Sequence, residues 1–91
     1  LKDRLYSNGS NILTAIMDGV IVKVEENRIF QLCDNGVSVV YENIKEVDAK
    51  ANERVLKGNT MGSIEESVTL YFYIEDEEKR KDIEKIKADY R

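Results

Sequence analysis

The pair Asn35-Gly36 stands between two β-favouring runs, RIFQLCD (28–34) and VSVVY (37–41). Both residues tolerate positive φ, so the pair is a strong short-range signal for an antiparallel hairpin. It constrains the fold more than any other feature, because the neighbouring segments follow the same pattern. Asp18-Gly19 marks a turn before the β-branched run 20–24, and Glu25-Glu26-Asn27 separates that run from the next. RVLK (54–57) reads as a short strand closed by Gly58, and VTLYFYI (68–74) as the last strand. ILTAIM (12–17) is short and apolar. Residues 1–11 read as a loose polar entry segment, and 42–54 as an irregular crossing. Gly19, Gly36, Gly58 and Gly62 are expected at turns, with positive φ. The expected fold is all-β, a mainly antiparallel small barrel or sandwich.

From Glu75 onward the chain, EDEEKRKDIEKIKADYR, is charge-dense and rich in helix formers. Acids gather at its start and bases follow, as a helix dipole favours. Asp76 with Arg80, and Glu77 with Lys81, have i,i+4 spacing. The expected organisation is a β domain over 1–74 and a C-terminal α-helix over 75–91. Ile83, Ile86 and Tyr90 form a narrow apolar stripe on that helix. The stripe either rests on the β domain or meets a partner.

The 91 residues are enough for one compact domain with a modest core. Net charge is −4, from 14 basic and 18 acidic side chains. The basic residues mostly stand beside acidic ones, which speaks against a nucleic-acid partner. No apolar run is long enough to span a bilayer. The start at Leu1 rather than Met reads as a fragment of a longer protein. The single cysteine, Cys33, permits no internal disulfide and no Cys-rich zinc site, and is expected to pack on a strand. There is no histidine. Its absence removes His-based acid–base catalysis, Ser-His and Cys-His nucleophile pairs, and His-ligated zinc within this chain. No cofactor or metal is expected.

The ordered stretches TAIMDGVIVKV (14–24), FQLCDNGVSVVYENI (30–44), ERVLKGNTMG (53–62) and TLYFYI (69–74) resemble the LytM/lysostaphin-type zinc endopeptidases, which cut peptide bridges of bacterial peptidoglycan. The resemblance covers roughly 14–74 and implies the duplicated hybrid motif of that family. One family glycine falls on Asn52, the next most tolerant residue for a left-handed backbone. It also implies where the zinc chemistry would sit. The Tyr-x-His-Leu element falls on Tyr41-Glu42-Asn43-Ile44, and the closing His-x-His on Thr69-Leu70-Tyr71. Asn43, Thr69 and Tyr71 therefore stand where active relatives carry histidines. Asp3 aligns with a family aspartate ligand. A phenol with a pKa of about 10 is a poor zinc ligand at neutral pH, and a threonine hydroxyl is no base there.

The resemblance thus points to the noncatalytic members, among them sporulation and envelope regulators. It implies a protein-binding or regulatory module, outside the cytoplasm and tethered to the membrane by a segment upstream. The expected partner is a protein of a membrane or envelope complex, with peptidoglycan as a further candidate. Tyr73, Ile83, Ile86 and Tyr90 are candidate contacts. Two other readings stay open. One is a peptidoglycan metallopeptidase with atypical ligands drawn from Asp3, Asp18, Asp34 and Glu42, although carboxylates alone suit calcium or magnesium better than catalytic zinc. The other is a biotinyl- or lipoyl-type carrier modified at Lys57, which lacks the usual flanking residues.

Overall fold

The computed structural model describes residues 2–6, 11–73, 81 and 85. Strands β1 (Lys2–Tyr6), β2 (Ile12–Thr14), β3 (Gly19–Val24), β4 (Ile29–Cys33), β5 (Ser38–Glu42), β6 (Glu46–Val47), β7 (Arg54–Val55), β8 (Thr60–Ser63) and β9 (Ser67–Tyr73) follow in order. Six form one sheet in the order β1-β9-β5-β4-β3-β7, and three form a second in the order β2-β8-β6. Every strand pair is antiparallel. The all-β expectation holds. The expected C-terminal helix, with Ile83, Ile86 and Tyr90, falls outside the described residues save for Lys81 and Lys85.

Strand alternation explains the core. On β9, Val68, Leu70 and Phe72 are buried, and their register partners on β5 include Val39 and Tyr41. Tyr41 in turn pairs with Ile29 on β4, and Val39 with Gln31. These side chains share one face. Leu13 of β2, Met61 of β8 and Ile16 of the β2–β3 link join them in one cluster, so the core fills the space between the two sheets.

Two polar side chains are sealed into that core. The Tyr41 hydroxyl donates to Gln31 Oε1 at 2.5 Å and accepts from the Ile16 N–H at 3.0 Å. Gln31 Nε2 donates to the Met17 carbonyl at 2.7 Å. The chain that leaves β2 runs through Ala15, Ile16 and Met17, all buried, so its backbone groups need partners away from water. Tyr41 and Gln31 supply them at Ile16 and Met17, and the Asn59 carbonyl and Gly58 N–H at Ala15.

The structure corrects several sequence-level expectations. Residues 1–11 are not wholly a loose entry segment, since 2–6 form β1 against β9. The polar, charged composition there hid a strand whose pairing is entirely long-range. Segment 42–54 contains β6, and Thr60–Ser63 forms β8. Gly62 lies inside β8, not at a turn: a Cβ there would stand 2.1 Å from the Glu46 carbonyl oxygen. Gly19 likewise opens β3, where a Cβ would meet the Leu32 carbonyl oxygen at 2.4 Å. Close approach of neighbouring strands, rather than a turn, selects these two glycines. The Asn35-Gly36 hairpin exists, but only Gly36 of the pair has positive φ, at 89°. Its N–H closes the turn onto Cys33 O at 2.9 Å, while Asn35 Oδ1 accepts from Val37 N–H at 3.1 Å. The loop is therefore longer than a two-residue turn, and β5 starts at Ser38.

Two stability outcomes follow from this packing. Tyr41→Phe leaves the Ile16 N–H and the Gln31 carbonyl without their partner, at a cost of about 1–3 kcal/mol in urea unfolding. Gly62→Ala forces β8 away from β6, and the expected loss is larger, with unfolding at a visibly lower midpoint than Tyr41→Phe.

Candidate functional site

The outward face of the six-stranded sheet carries the residues that sequence analysis singled out on β9. Thr69 and Tyr71 alternate with the core residues Val68, Leu70 and Phe72, so both lie on this face. Across β5, Glu42 is the register partner of Thr69, Val40 of Tyr71 and Ser38 of Tyr73. On β4, Phe30 faces Val40, and Leu32 faces Ser38. Thr69 is buried between its neighbours, Tyr71 is half-buried, and Tyr73 is exposed.

Asn43 comes near these residues by a different route. It follows β5 directly with φ 68°, a left-handed conformation that asparagine tolerates better than most residues. Its Nδ2 donates to the Ser67 carbonyl at 3.1 Å. The amide thus ties the exit of β5 to the start of β9. Asn52, with φ 70°, fits its expected role as a stand-in for glycine.

Asp3 pairs with Leu70, whereas Arg4 pairs with Thr69 and Lys2 with Tyr71. Asp3 therefore sits one register step away from the positions that share the Thr69–Tyr71 face. The other acids that sequence reading weighed as metal ligands are dispersed. Asp34 receives both Arg54 guanidinium nitrogens, at 3.0 and 2.7 Å. The hydrogen bond from Arg54 holds its carboxyl below the usual carboxylate range. Asp18 Oδ1 accepts the Lys57 N–H at 2.7 Å. Glu42 pairs with Arg28 at 3.4 Å. Among the described residues, no three His, Cys, Asp or Glu side chains come together as a metal site. Asn43, Thr69 and Tyr71 do not fit zinc either: they bring one phenol, one hydroxyl and one amide committed to Ser67. Lys57 lies on the turn from Leu56 to Asn59, where Asn59 N–H bonds to Leu56 O at 2.9 Å.

Sequence reasoning missed the companions of Tyr71 and Tyr73. Val22, Phe30, Ser38 and Val40, with Tyr73, line a shallow depression of about 370 Å³ on the same face. The alternation in VSVVY already separates Ser38 and Val40 from Val39 and Tyr41. Matching them to β9 required the register. Val22 is an extra residue in β3, where the pairing shifts between Ile21 and Lys23, and simple alternation does not reveal such a bulge.

Cys33 plays no part in this face. It is buried, and burial pushes its thiol up to about 12, with Asp34 and Asp18 adding to the effect. The folded state keeps the thiol protonated where the unfolded chain ionises it. Its contribution to stability is therefore complete below its ordinary value of 9.0 and is lost as pH rises toward about 12. Urea midpoints should fall across that window, and less steeply in Cys33→Ala. At the other end of the sheet, Asn43→Ala loses both the tie to Ser67 and the left-handed tolerance. Asn43→Gly loses only the tie, so it should unfold about 1 kcal/mol later than Asn43→Ala.

Comparison with known proteins bears on the fold alone. No family model and no curated protein matches the sequence. The NMR solution structure of lysostaphin matches with a TM-score of 0.73 at 14% sequence identity, over 91% of this chain and 42% of that one. The chain spans less than half the length of that protein. It has a lysostaphin-like fold of the LytM type.

Proposed function

We propose that this domain is a noncatalytic relative of the LytM-type peptidases and serves as a protein-binding or regulatory module in a bacterial envelope complex. The observation that carries the reading is the identity of the β9 face. The lysostaphin-like fold supports comparing that face with the zinc site of active relatives. At the compared positions this chain has Thr69 and Tyr71, with Asn43 spent on Ser67. The 91 residues include no imidazole to bind zinc or to polarise water. A fold kept without these groups still offers a sheet face and strand edges to a partner. An extracytoplasmic location, with the domain held near the membrane by another part of its protein, fits the same reading. Tyr73, on the open part of the face, is the described residue best placed for contact.

Two readouts test this. Incubation of the domain with purified peptidoglycan and added zinc should release no new amino termini, whereas active lysostaphin in parallel does. A photo-crosslinking residue at position 73 of the protein in its own cells should yield a discrete protein adduct. Release of amino termini by the domain, or an adduct to glycan strands only, contradicts the proposal.

A further inference from the structure

We draw no further inference here: the strongest candidate, the apolar strip of Val22, Leu32 and Tyr73 on the outward face of the large sheet, carries nothing, because the charges described beside it pair with one another, Lys23 and Arg28 with Glu25 and Glu42, and nothing in the structure shows what covers it.

Discussion

The pairing of β9 on both of its edges is the constraint on which the rest depends. Its backbone is matched to β1 on one side and to β5 on the other. Val68, Leu70 and Phe72 drop into the core, and Ser67, Thr69, Tyr71 and Tyr73 take the opposite face. A slip of one residue would exchange the two sets, burying Tyr73 and exposing Leu70. The register is held by hydrophobic burial along the strand and, at its start, by the Asn43 amide on the Ser67 carbonyl. What the outward face can do chemically is decided by the same register.

The inner and outer faces of the large sheet use polar groups differently. Inside, Tyr41 and Gln31 secure the Ile16 N–H and the Met17 carbonyl of the buried link that crosses the end of the core. Outside, Glu42 stands across from Thr69 and is paired with Arg28, and Lys23 and Arg28 border the Phe30 ring. A partly apolar face whose charges are paired with one another is better suited to recognition than to activating water.

Much of this was legible in the sequence, and the exceptions have physical causes. Alternation and turn pairs located β3, β4, β5 and β9, because each combines local β propensity with a local turn signal. β1 and β8 escaped, since their residues are polar or glycine-bearing and become strands only through distant partners. Gly62 looked like a turn residue, yet the tight approach of Glu46 is what requires it. Thr69 and Tyr71 were recognisable as same-face neighbours from their spacing alone. Val22, Phe30 and Val40 were not, because a bulge and two registers intervene between them. Asn43 was visible as a residue at a telling position, but its tie to Ser67 is a property of the folded chain.

The most direct test of the central claim is a zinc titration of the metal-free domain by isothermal calorimetry at neutral pH. The account predicts no saturable binding at micromolar zinc, and the same flat response in a Thr69→Ala, Tyr71→Phe variant. One tightly bound zinc per chain, abolished in that variant, would show that the β9 face still grips a metal and would contradict the account.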